Sequence, residues 1–135
     1  MEKILWIKNK MPKVKDERIA LMSLSECKKA RAFHMSFPQY SQTPAAELSG
    51  MAKHIGIKDL FVKDESYRFG LNAFKVLGGS YAIGRYVAQR TGRDISETDY
   101  SYLTSEKLKK DFGQTTFYTA TDGNHGRGVA CLQRP

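Results

Sequence analysis

Lys75 is the residue of this chain best placed to act as a nucleophile. It lies in Asn72-Ala-Phe-Lys-Val-Leu-Gly-Gly-Ser-Tyr81, where a polar turn gives way to a run that reads as a helix. A helix N-terminus carries partial positive charge, so a cation is disfavoured there. With Phe74, Val76 and Leu77 beside it, desolvation and like-charge repulsion favour the neutral amine, which is the form that attacks a carbonyl in Schiff-base chemistry. The competing reading is a lysine whose stem packs on the helix while its head reaches water. A second chemical group lies in Thr121-Asp-Gly-Asn-His-Gly-Arg-Gly-Val-Ala130. There Asp122 suits a general base within hydrogen-bond reach of a proton, or an N-cap for the helix that follows. Asn124 suits a ligand hydrogen bond, or simply a turn that needs the left-handed region. Both segments share one form: strand, tight polar turn, helix start. In open α/β sheets ligands bind where such turns cluster, and two of them face to face could hold a flat, anionic cofactor.

Taken together, Arg68-Phe-Gly-Leu-Asn-Ala-Phe-Lys75 and the segment from Thr121 to Ala130 resemble the fold type II family of pyridoxal-phosphate enzymes. Within it the likeness is to the diaminopropionate ammonia-lyases. The resemblance runs over residues 33–130 and is sharpest over 61–81 and 118–130. Two long motifs in the right order are far more specific than one glycine-rich turn. The resemblance implies an α/β fold with a three-layer parallel sheet, of which this chain is the N-terminal third. It implies that Lys75 forms the Schiff base with pyridoxal 5'-phosphate and that Asn124 hydrogen-bonds the phenolic oxygen of the ring. Gly123 and Gly126 would let the backbone approach the cofactor where a side chain would block it.

Asp122 is the informative variation. Many fold type II motifs have a small hydroxyl residue there, whereas a carboxylate is the diaminopropionate ammonia-lyase pattern. The resemblance implies two bases, Asp122 on one face of the substrate and Lys75 on the other, so that either enantiomer of 2,3-diaminopropionate loses its α-proton. Elimination of the β-ammonia then yields pyruvate and a second ammonia. A serine/threonine dehydratase-type enzyme is the near competitor, and Asp122 argues against it. The family's phosphate-binding glycine loop and the partner of its pyridine nitrogen lie downstream of the matched segment. The expectation is therefore a chain not active alone, homodimeric when full length, with a basic leader at 1–24, the start of the large cofactor domain at 25–97 and the start of a smaller inserted domain at 98–135. A small basic protein without enzymatic activity is the reading from a different class.

The bulk numbers agree with a soluble domain. A chain of 135 residues, 41% apolar and 27% charged, can bury roughly two thirds of its unfolded surface. The net charge of +8 comes with no nucleic-acid-binding signature and reads as solvated surface. No apolar run has the ~20 residues of a membrane span, and Met1-Glu-Lys-Ile-Leu-Trp6 lacks a secretory pattern. Two cysteines, Cys27 and Cys131, without a C-x-x-C pair indicate neither disulfides nor zinc, which suits the cytoplasm.

Along the chain, the leader is expected to be irregular, interrupted by Pro12 and anchored by Trp6 and Ile7. A helix follows from Ser25 as N-cap to Met35, with Cys27, Ala30, Phe33 and His34 on one stripe and His34 in a packing role. A second helix spans Ala45 to Ile55, with Leu48, Met51, Ala52 and Ile55 inward and Gly56 as its stop. Leu60, Phe61 and Val62 read as a strand covered on both faces. Asn72 is expected to cap the Lys75 helix, which ends near Gly92, and Gly78 and Gly79 imply close approach of another backbone. A short helix from Thr104 to Phe112, a buried strand over 115–120 and a helix from Arg127 complete the pattern. So few covered strands predict marginal stability.

Overall fold

A computed structural model describes residues 7–8, 10, 16–121 and 123–131. A 3-10 turn, Glu17–Met22, precedes α1, Leu24–Met35. Residues 17–22 of the expected irregular leader are therefore helical, and Ile7 is not an anchor, being 95% exposed. Trp6 and Pro12 lie outside the described residues. The cap of α1 is Ser23 rather than Ser25, for the Ser23 hydroxyl accepts the Glu26 N–H. Phe33 and His34 are its buried residues, while Cys27 faces solvent.

Next comes a pair of short strands, β1 at Ala45–Glu47 and β2 at Phe61–Lys63, flanking α2 at Ser49–Ile55. The strands run antiparallel with Ala45 opposite Lys63, Ala46 opposite Val62 and Glu47 opposite Phe61. Two expectations fail here. Ala45 to Glu47 is strand rather than the first turn of a helix, because the Asp64 N–H is donated to Pro44 O and the Leu48 N–H to Leu60 O at the two ends of the ladder. The apolar run of β2 is not covered: Phe61 is 66% exposed and Val62 42%. Of the inward face expected for α2, only Ala52 is buried, and Met51 and Ile55 are exposed. Gly56 does end α2, at φ 76.

A 3-10 segment, Glu65–Gly70, leads through a turn to α3, Lys75–Arg90. It ends at Thr91 and Gly92, the latter at φ 67. A 3-10 turn, Ile95–Glu97, carries a capping box between Asp94 and Glu97. Then α4, Tyr100–Leu103, is capped by Asp99, and α5, Glu106–Phe112, by Ser105 with Gly113 as its stop. Residues 113–121 have no ladder, and only 115 and 117 of 115–120 are even half-buried, so the second expected strand is an extended, largely exposed segment. Last is α6, Asn124–Cys131, which starts three residues before the expected Arg127.

The core is built by α1 and α3. Phe33, Phe37, Ala88 and Ile95 are buried together, with Phe69, Tyr81, Tyr100 and Leu103 against them. Gly84 makes this possible: a Cβ there would stand 2.6 Å from the Phe33 ring. His34 Nε2 donates to Leu77 O at 2.9 Å and lies 3.1 Å from Ser80 Oγ, so its packing role holds. Among the described residues no helix is long and apolar enough to cross a membrane.

Candidate active site

Lys75 is the first residue of α3. The turn before it is unusual, with Phe69 at φ 50, Gly70 at φ 66 and Asn72 at φ 56. Asn72 therefore serves as a left-handed turn residue and does not cap the helix. The N-cap position is Phe74, which makes no side-chain cap bond. Lys75 is half-buried. Val76 beside it is buried at 4% exposure, while Phe74 is 62% exposed.

Asp122 lies outside the described residues. Gly123 sits at φ 114, a conformation that side chains rarely adopt, and the direction of its missing Cβ opens to unfilled space. Asn124 is the exposed first residue of α6. Gly126 has a nearer reason to be glycine than a cofactor: a Cβ would stand 2.7 Å from Thr121 Cγ2. Thr121 folds over this turn, its Oγ1 accepting the N–H groups of Gly123 at 3.0 Å and Gly126 at 2.7 Å. This gathers backbone donors left unpaired by helix geometry at the start of α6.

The two segments meet. A Cβ on Gly128 would stand 2.9 Å from Val76 Cα and 3.2 Å from Val76 N, so the α6 backbone lies directly on the first turn of α3. Close approach was expected at Gly78 and Gly79. Gly79 does face α6, with its Cβ direction 3.7 Å from Val129 and 4.0 Å from His125, whereas Gly78 meets nothing within 4 Å. Beside this crossing is a cleft of about 230 Å³ lined by Gly78, Gly79, Phe117, Thr119, His125 and Val129 among others.

A buried ionic network holds the other end of the Lys75 turn. Arg68, 7% exposed, donates to Glu65 Oε2 at 2.7 Å, Glu65 Oε1 at 3.0 Å, Ser41 O at 3.0 Å and Thr43 Oγ1 at 3.0 Å. Thr43 Oγ1 donates to Glu65 Oε1 at 2.6 Å, and Lys63 Nζ reaches Thr43 O at 2.7 Å. The Arg68 guanidinium, then the Thr43 hydroxyl and Lys63, hold the Glu65 carboxyl down to about 2. None of these roles is visible from the motif alone. The available signal was Glu65 three residues before Arg68, a spacing at which opposite charges meet on one helical turn. Among the described residues no cluster of three or more His, Cys, Asp or Glu could hold a metal.

Residues 37–133 match the family described as "Pyridoxal-phosphate dependent enzyme". The chain belongs to that family. Its fold is the α/β, fold type II class. It is 50% identical over 115 residues to the diaminopropionate ammonia-lyase of Escherichia coli K12, covering 84% of this chain and 28% of that protein. It is 48% identical over 99 residues to the diaminopropionate ammonia-lyase of Salmonella typhimurium LT2, covering 73% of this chain and 24% of that one. The crystal structure of the E. coli lyase in apo form superposes with a TM-score of 0.72 at 46% identity, over 82% of this chain and 29% of that chain. The E. coli lyase in complex with an aminoacrylate-PLP azomethine reaction intermediate gives 0.66 at 45% identity, over 82% and 26%. The chain thus spans under a third of the length of these relatives.

The residues present fit the family's cofactor. An amine at the start of one helix, an amide at the start of another, and a glycine turn opening onto unfilled space form the donor set and clearance that a planar aldehyde bearing a phenolic oxygen requires.

Proposed function

We propose that this chain supplies the lysine wall of a pyridoxal-phosphate-dependent ammonia-lyase acting on 2,3-diaminopropionate. The observation that supports the reading is the seating of Gly128 on Val76, by which the helix that Asn124 starts packs on the first turn of the helix that Lys75 starts. The identity of about half to lyases of that name supports the substrate class. When bound, the cofactor supplies an electron sink for the pair left at the substrate α-carbon.

The chain's own residues do the rest. Lys75 Nζ would hold the cofactor aldehyde, and its free amine would take or return a proton at the substrate α-carbon from its side. Asn124 orients the ring through its phenolic oxygen. Gly123, at φ 114, leaves that face of the turn free of side chain. The Asp122 carboxylate takes the α-proton from the opposite face, so the two bases between them serve both enantiomers. Residues 25–97 begin the large cofactor domain and 98–135 the smaller one. The phosphate cradle belongs to a portion downstream of the matched segment, so turnover requires a polypeptide that supplies it, in a cytoplasmic homodimer.

The test joins this chain to the downstream portion of the E. coli lyase. The joined protein should release pyruvate from 2,3-diaminopropionate, and Lys75→Ala should abolish both that release and the borohydride-reducible lysine adduct. An adduct that persists at the same site in Lys75→Ala overturns the assignment.

A further inference from the structure

Between β2 and α3 the backbone enters the left-handed region at Phe69, Gly70 and Asn72. For a bulky residue such as Phe69 this region is unfavourable, and strain of this kind persists only where surrounding contacts over-determine it. Two sets of contacts converge on it. On one side is the buried Arg68 guanidinium, bonded to Ser41, Thr43 and Glu65 and lying 5.5 Å from the Tyr40 ring centroid. On the other, the Phe69 ring packs edge-on against Phe37 at 5.9 Å and Tyr40 at 6.3 Å, and Phe37 belongs to the core. Because α3 begins at Lys75 and the N-cap residue Phe74 offers no capping side chain, its start is set by the turn before it and by α6 packed upon it.

We infer that Arg68 and Phe69 are positioning residues for Lys75. The guanidinium network and the aromatic wedge hold the left-handed turn in the conformation that delivers the Lys75 amine to the cofactor. The inference rests on Lys75 being the lysine that carries the cofactor. Arginine is needed at 68 because its planar fork reaches the carboxylate, a hydroxyl and a carbonyl at once. Lysine would keep the charge and lose that simultaneous reach. Phenylalanine at 69 is informative for the opposite reason. Glycine would suit the backbone better there, so the ring is kept in spite of the turn.

The experiment treats the full chain with pyridoxal phosphate, traps lysine adducts with borohydride and maps them by peptide mass spectrometry. Exposed Lys53 and Lys58 in the same molecules serve as the internal scale. In the wild type Lys75 should be trapped in preference to both. Arg68→Gln and Phe69→Gly should each lower that preference about tenfold, well within the hundredfold that a 1 Å misplacement can cost. Arg68→Lys should recover part of it. Phe69→Gly also removes packing against Phe37 and Tyr40, so its melting temperature should fall. Trapping is therefore compared at a temperature where both proteins are folded, and the trapping of Lys53 and Lys58 should stay at the wild-type level, which a general loss of structure would not leave. Should Arg68→Gln fail to fold, Phe69→Gly and the milder Thr43→Val carry the test. Preferences equal to wild type in these variants overturn the positioning role while leaving Lys75 as the cofactor lysine. A wild type in which Lys75 is trapped no faster than Lys53 and Lys58 overturns the reading of Lys75, and this inference with it.

Discussion

Gly128 lies against Val76 so closely that an added Cβ would stand 2.9 Å from the Val76 Cα. The neighbour is backbone in the first turn of a helix and cannot swing aside as a flexible side chain would. This contact joins the two chemical segments of the chain, so its loss should separate them.

Gly128→Ala should therefore destabilise the protein by about 1–3 kcal/mol, the usual range for overpacking. It should also lower the trapping of Lys75 by pyridoxal phosphate. Gly78→Ala, where nothing lies within 4 Å, should be neutral or slightly stabilising, since alanine is the better helix former. Thermal melting of the two variants side by side checks the contrast.

The Glu65 carboxyl, held down to about 2 from an ordinary 4.5 by Arg68, predicts an acid limb of stability. The folded state binds this proton less readily than the unfolded chain. The contribution is therefore complete above 4.5 and lost as pH falls toward 2. Glu65→Gln should flatten that limb and, by leaving the buried Arg68 unpaired, cost about 3 kcal/mol at neutral pH. Melting temperature against pH for both proteins gives the comparison.

His34 should add a second limb at higher pH. Its burial favours the neutral ring and lowers its titration below the ordinary 6.5, with the Arg68 charge acting in the same direction and the hydrogen bond to Leu77 O opposing. As pH falls below 6.5 the unfolded chain takes up a proton that the folded one refuses, so stability declines until the folded-state value is reached. His34→Gln should lose this limb and keep the one from Glu65. A melting temperature that stays flat from neutral pH down to the Glu65 range would contradict it.

Asp122→Asn in the joined protein should leave the lysine adduct intact and slow turnover of one enantiomer of 2,3-diaminopropionate far more than the other. Equal slowing of both, or of neither, in pyruvate-release assays would mean that Asp122 is not the second base.

Much of the candidate site was legible because its rules are local. Lys75 at the start of α3, Gly56 and Gly113 as helix stops, and the polar turn before α6 all follow from helix termini and left-handed glycines, whose physics is contained within a few residues. The family, too, was readable from two motifs in order, and the match over residues 37–133 bears it out.

What the sequence could not contain is the identity of distant neighbours. Ala45 to Glu47 has helical composition but pairs as strand, because the main chain from Pro44 to Leu48 meets that from Leu60 to Asp64. Leu60 to Val62 reads as covered, yet the two-stranded ladder leaves Phe61 and Val62 in solvent. Gly126 reads as a cofactor glycine, and Gly128 carries no role in its motif. Tertiary structure gives them reasons of their own, the Thr121 methyl against one and the Val76 backbone against the other. Arg68 has no role that its motif reveals, and only the return of Ser41 and Thr43 past β2 makes it the buried centre of a network. The residue types for the chemistry were written locally in the chain. Their convergence depends on close packing between segments remote in sequence, which local propensity does not encode.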